Sequence, residues 1–187
     1  MHKLPISQIG APILRQTAQD VEFPLSPAIQ QLIMDLIHTA ELTNGVGIAA
    51  PQVAASLNLF ILASRPSPRY PHAPTMEPTE IINPKIIDRS NENMGGWEGC
   101  LSIPNYRAVV SRPQWVNVEY QDTQGCIHRE RFSDFVGRIF QHEYDHLQGV
   151  LFIDHVRPKD LISEEEYQKI CFDPLPKPLA SQEHSVS

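Results

Sequence analysis

The sequence predicts an α+β fold built mostly from antiparallel sheet. Three observations predict it: apolar residues at helical spacing in capped segments, several β-branched and aromatic runs, and a turn signal joining two of those runs. Ser26-Pro27 opens the first helix, because a serine hydroxyl can accept from free helix amides and proline tolerates the first helical position. Ile29, Leu32, Ile33, Leu36, Ile37 and Ala40 then fall on one stripe, so helix 27–43 must bury a face until Asn44-Gly45 ends it. Residues 57–63, apolar at every position but Asn58, read as a buried strand, although periodicity alone also allows a helical segment. The five prolines of 65–78 make that stretch irregular. Segments 80–88, 107–111, 115–121 and 127–132 have the composition of strands, and Asp122-Thr123-Gln124-Gly125 supplies a hairpin turn between the last two. Ser133-Asp134 can cap a second helix that reaches about Leu147 and is closed by Gly149. Ser163 with Glu166 fits a capping box for a third, shorter helix. Residues 1–172 are expected to form a single domain, and the Pro- and Ser-rich 173–187, with little to bury, a flexible tail.

A chain of 187 residues is long enough to bury its own core without disulfides or a partner. Its formal net charge of -7, with no dense run of Lys and Arg, argues against recognition of a nucleic-acid backbone. Cys100, Cys126 and Cys171 are an odd set without framework spacing, which suits a reducing compartment. The first residues lack the apolar core of a signal peptide, and no run approaches the roughly 18 to 20 apolar residues that cross a bilayer. A cytoplasmic protein without a membrane partner is expected.

The chemistry concentrates in the second helix. His142-Glu143-Tyr144-Asp145-His146 is a His-Glu-x-x-His pattern that sets two imidazoles at i and i+4 on one face, where they can share a cation. The pair alone is an ordinary feature of surface helices; the intervening Glu143 adds a carboxylate placed to take a proton from a water at the metal. Such a site needs a third protein ligand and an open position. A metzincin would place a histidine where this chain has Phe152. Glu164, Glu165 or Glu166 would serve a zinc endopeptidase of the thermolysin kind, though a solvated acidic helix start, which the dipole favours, explains them better. Cys100, in Glu98-Gly99-Cys100-Leu101-Ser102, would supply a thiolate, and Gly95, Gly96 and Gly99 keep the backbone around it thin, as a simple turn would also require. A closed structural clip with Cys126 or Cys171 as fourth ligand is a further, non-catalytic reading.

Three segments together resemble the bacterial-type (type 1) peptide deformylases. They are Gly45-Val46-Gly47-Ile48-Ala49-Ala50-Pro51-Gln52, Glu98-Gly99-Cys100-Leu101-Ser102 and Gln141-His142-Glu143-Tyr144-Asp145-His146, with Gly10-Ala11-Pro12-Ile13-Leu14-Arg15 and Ile82-Asn83-Pro84 extending the likeness. The resemblance implies antiparallel sheets around a central metal-binding helix, and removal of the formyl group from the N-terminal formyl-methionine of nascent chains. It implies Cys100, His142 and His146 as ligands of one divalent metal, natively Fe(II), a donor set that Zn(II), Ni(II) or Co(II) also suits. It further implies Glu143 as general base and then acid, and the Gln52 amide with the Leu101 N–H as oxyanion donors. Val46, Gly47, Gly99 and Arg107 are assigned by the same likeness to substrate contact, Arg107 otherwise reading as a surface residue of a strand. Transient association with the ribosome follows from the implied substrate. Arg138 departs from the family, which commonly has an apolar residue there beside the methionine pocket. Glu98 is the expected partner of a metal-bound histidine, and Asp145 is expected to pair with Arg112.

Overall fold

A computed structural model describes residues 2–67 and 70–172; the expected tail at 173–187 lies outside the described residues. The chain forms helices α1 (Pro27–Leu42), α2 (Asp134–Leu147) and α3 (Glu164–Phe172). The strands are β1 (Gly47–Ala49), β2 (Leu59–Leu62), β3 (Thr79–Arg89), β4 (Asn93–Cys100), β5 (Ile103–Pro113), β6 (Trp115–Gln121), β7 (Ile127–Ser133) and β8 (Ile162–Ser163). Two sheets result, one ordered β1-β2-β3-β6-β7 and one ordered β4-β5-β8, and every pairing between named strands is antiparallel.

Strand period and burial explain how the layers assemble. In β2, Leu59 and Ile61 point to one face and meet Ile33, Leu36 and Ala40 of α1. Phe60 and Leu62 point to the other face and meet Ile139, Phe140 and Leu147 of α2. A strand covered on both faces has no polar positions, which is why 59–63 is apolar without a break, and the expected 57–63 shortens to β2 because Asn58 lies outside it. The opposite side of α2 faces β4 and β5, so this helix lies between the two sheets. A third apolar cluster, with Leu14, Cys100, Ile103, Val110 and Phe152, closes the molecule under the smaller sheet.

Several sequence expectations change in detail. Ser26 caps α1 through the Ile29 amide, 3.3 Å away, but Ser133 makes no side-chain cap on α2. There β7 runs straight into the helix: Ser133 still pairs with Trp115, Asp134 turns the chain with a φ of 52°, and its N–H donates to the Gln114 carbonyl. Of the expected capping box at α3, the Ser163 hydroxyl accepting from the Glu166 amide is present. The largest correction is β4. Its glycines are strand residues rather than a turn, because buried arginines fill the space where side chains would stand. A Cβ on Gly96 would lie 2.7 Å from the Arg138 guanidinium, and one on Gly99 2.8 Å from Arg107 Cδ. The expected 107–111 is part of the longer strand β5, which carries both Arg107 and Arg112.

Candidate active site

Helix periodicity places His142 and His146 one turn apart on the face of α2 turned to the smaller sheet, and the end of β4 brings Cys100 to them. The register of β4 on β5 shifts between Glu98 and Cys100, re-aiming the cysteine at the helix. Cys100 Sγ lies 3.2 Å from His146 Nε2, and one ligand atom from each of Cys100, His142 and His146 falls within 4.8 Å of the others. Burial raises the Cys100 pKa, but the His146 charge and the hydrogen bonds from both histidines outweigh it and hold the sulfur far toward thiolate. The Ser102 N–H and the Gln52 amide also donate to this sulfur, each at 3.4 Å.

A buried ionic layer fixes His142. His142 Nδ1 is 2.9 Å from Glu98 Oε2, leaving Nε2 for a cation. Arg112 grips Glu98 with two bonds of 2.6 and 2.9 Å, and Arg138 adds a third of 2.9 Å. Burial disfavours a charged Glu98, but the bonds from His142 and Arg112 more than offset it and hold the carboxyl well below the usual carboxylate range. Arg112 also bonds Asp145 at 2.9 Å, which accepts from His155 at 2.7 Å when that ring nitrogen carries its proton, so the expected Arg112–Asp145 brace is present.

Glu143 points to the other side of the ligand group. Gly47 lies against it so closely that a Cβ there would stand 2.6 Å from Glu143 Oε1, so only glycine fits at this position. Oε2 of Glu143 is buried and has no hydrogen-bonding partner among the described residues. Burial pushes this carboxyl up to about 7, against the pull of the two neighbouring histidines. Gln52 is held by accepting the Ala49 N–H at 2.8 Å, and its amide donates to Ser102 Oγ at 3.1 Å as well as to the sulfur. One soft sulfur, two imidazoles and an unpartnered carboxylate oxygen beside them suit a divalent transition metal. They do not suit a closed clip, since Cys126 and Cys171 are exposed and outside the group.

These residues open on a cleft. Val46, Gly47, Gln52, Gly99 and Leu101 line it, together with Cys100, His142 and Glu143. Arg107 does not: no part of its side chain is exposed, and it stands one layer behind, bonded to Glu164 at 2.7 and 3.2 Å. That pairing replaces the surface-arginine reading and engages Glu164 away from the ligand group, so the endopeptidase alternative is not favoured. Sequence reasoning missed Phe135, Ile139 and Tyr70 as lining residues. Phe135 and Ile139 were findable, since they precede His142 by seven and three positions on the same helical face. Tyr70, carried by the proline-rich segment, has no local signal.

Comparison with known proteins agrees with this geometry. Residues 3–161 match the family described as Polypeptide deformylase. Peptide deformylase 2 of a Nostoc species is 59% identical over 168 residues, 89% of this chain and 94% of that protein. Peptide deformylase 2 of Shewanella oneidensis is 45% identical over 151 residues, 81% and 83% of the two chains. Among solved structures, a class I type b peptide deformylase from Acinetobacter baumannii with Met-Ala-Ser bound superposes with a TM-score of 0.81 at 43% identity, covering 83% of this chain and 99% of that one. The Thermotoga maritima peptide deformylase gives 0.75 at 34% identity over 84% and 100%. Among the described residues no helix is long and apolar enough to cross a membrane. With the family matched across all the residues that converge on the cleft, this chain belongs to the peptide deformylase family.

Proposed function

We propose that this chain hydrolyses the formyl amide of N-terminal formyl-methionine on nascent polypeptides, with α2 as the metal-binding helix at the centre of a single catalytic domain spanning 1–172. The observation that carries the reading is the convergence of Cys100, His142 and His146 within 4.8 Å, with an unpartnered Glu143 oxygen alongside. Those three side chains would hold the cation, Fe(II) natively, with Zn(II), Ni(II) or Co(II) acceptable to the same donors. A cation there supplies Lewis-acid polarisation and a water of lowered pKa.

The protein's own residues do the rest. Glu143, poised near neutrality, accepts a proton from the attacking water as the new C–O bond forms, then delivers it to the departing nitrogen as the C–N bond breaks. Formate and a free N-terminal amine result. The Gln52 amide, already beside the sulfur, and the Leu101 N–H donate to the oxyanion that develops on the formyl oxygen. Val46, Gly47 and Gly99 offer main chain for a peptide to run along, and Arg107 supports that edge from behind. Emerging chains carry the formyl group, so the enzyme works in the cytoplasm and meets the ribosome transiently. Anaerobically prepared protein should release formate from formyl-Met-Ala-Ser with about one metal per chain. Activity on acetylated or internal peptides in place of the formylated one would refute the assignment.

A further inference from the structure

The buried polar layer behind His142 does not end at its partner Glu98. Outward from the ligand, the contacts run from His142 Nδ1 to Glu98 at 2.9 Å, and from Glu98 to Arg112 through bonds of 2.6 and 2.9 Å. Arg112 Nη1 then donates to Asp145 Oδ2 at 2.9 Å, and the same oxygen lies 2.7 Å from His155 Nε2. Side-chain exposure rises along this line, from 4% at Glu98 and 5% at Arg112 to 19% at Asp145 and 36% at His155. His155 is therefore its solvent end.

The 3-10 turn Phe152–His155, which follows α2 and folds back against it, places this histidine. At the start of the turn the Phe152 ring stacks on His142, with centroids 6.2 Å apart and planes 23° from parallel. Inside it, Asp154 accepts from the Leu151 N–H at 2.8 Å and pairs with Arg15, so the turn is anchored independently of the ligand group. One short segment thus meets His142 twice, by ring contact and through the polar line.

A carboxylate only accepts hydrogen bonds, so the contact to Asp145 requires a proton on His155 Nε2, whether the ring is neutral or charged. An exposed histidine on an aspartate is ordinarily a surface pair of small effect. Here the acceptor oxygen is shared with a buried arginine that grips the partner of a ligating histidine. Two donors converging on that oxygen fix the Asp145 carboxylate, and Arg112, held between two carboxylates, presents one set of donors to Glu98. Without His155 the outer carboxylate can turn, Arg112 can follow it, and the bond that orients His142 slackens.

We propose that His155 is a positioning residue that acts through Asp145, Arg112 and Glu98 to orient His142, and so sets how tightly Cys100, His142 and His146 hold their cation. It touches neither peptide nor cation. Its consequence for turnover rests on the deformylase reading, whereas its consequence for metal binding rests on the ligand group alone.

The test strips full-length protein and its His155→Ala, His155→Gln and His155→Asn variants of metal, titrates each with Zn(II) against a competing chelator, and assays the loaded proteins on formyl-Met-Ala-Ser. His155→Ala should weaken Zn(II) binding about three- to tenfold, less than the loss expected for a direct partner of a ligating histidine. It should lower kcat with KM within about twofold, and shift the melting temperature of metal-free protein by about 2 °C or less. Glutamine sets its amide nitrogen near the place of imidazole Nε2 and should restore affinity to within about twofold of wild type. The shorter asparagine should not. Adding His155→Ala to Asp145→Ala should cost no further affinity, since the two act in one line. Wild-type Zn(II) affinity in His155→Ala, equal affinities of the glutamine and asparagine variants, or losses that simply add in the double variant overturn the proposal. If the affinities follow the expected order but wild-type protein releases no formate, the deformylase reading fails and the positioning role stands.

Discussion

A carboxylic acid buried beside two imidazoles carries the functional tension of this molecule at the scale of one residue. Glu143 is held protonated to higher pH than an exposed glutamate, up to about 7, chiefly by burial. A group with that affinity can take a proton and give it back near neutral pH, which a carboxyl with an ordinary pKa does poorly. The same shift has a thermodynamic sign. Because the folded state binds the proton more tightly than the unfolded chain, Glu143 supports folding below its ordinary value of 4.5. That support is lost as pH rises through about 7. At 1.36 kcal/mol per pH unit the full swing is on the order of 3 to 4 kcal/mol. In chelator-treated protein, Glu143→Gln should therefore be more stable than wild type at pH 8 and no more stable at pH 4, while the metal-loaded variant loses roughly 100-fold or more in turnover. Urea denaturation at the two pH values checks this, and a pH-independent difference would remove the buried-acid argument. His142, Glu143 and His146 were legible because a helix fixes their spacing. The bare Glu143 oxygen and the glycine pressed against it were not, since Gly47 and Glu143 are remote in sequence and meet only through the packing of β1 on α2.

Among the elements, α2 and β4 explain each other. The sequence shows α2 clearly, through the Ser133-Asp134 start and the glycine that follows it, and shows β4 hardly at all, because Gly95, Gly96 and Gly99 lack the composition of a strand. The missing information sits on another element: Arg138 of α2 lies over Gly96, donating to the Met94 carbonyl at 2.6 Å, the Val110 carbonyl at 2.8 Å and Glu98 at 2.9 Å. The departure from an apolar residue at 138 is thus accommodated in the facing strand, and the polar head is satisfied rather than aimed at the cleft alone. Gly96→Ala should destabilise the protein by about 1–3 kcal/mol, since the new Cβ would stand 2.7 Å from the guanidinium. Adding Arg138→Leu should recover part of that loss, because Glu98 keeps both bonds to Arg112. A double-mutant cycle on chemical denaturation should give a coupling of about 1 kcal/mol or more, and simple additivity would show that the strand glycine has another cause.

Across the whole molecule, the site is where two layers meet, with its ligands drawn from stretches of backbone far apart in sequence. Cys100 belongs to the smaller sheet and its cluster, whereas α2 packs its apolar face on the larger sheet, and 46 positions separate Cys100 from His146. The α+β class and most strands were legible from local composition; this junction was not, because it depends on a register shift at the end of β4 and on buried arginines that bridge the layers. A cation bound across the junction links the layers only in the folded chain, so it must raise stability in proportion to its occupancy. At a free metal concentration about 100 times the Kd, linkage gives about 2.7 kcal/mol. For a chain of this length that corresponds to roughly 5–10 °C in Tm. Anaerobic removal of the metal should lower the melting temperature of wild-type protein by that amount, and added Fe(II) or Zn(II) should restore it. Cys100→Ser exchanges the thiolate for a poorer soft ligand, so this variant should melt near the metal-free value and respond weakly to chelator. If wild type and variant melt together with and without metal, the cation does not bridge the layers. The ionic contacts through Glu98, Arg112 and Arg138, with the β3–β4 and β5–β6 connections, would then hold the two sheets together without it.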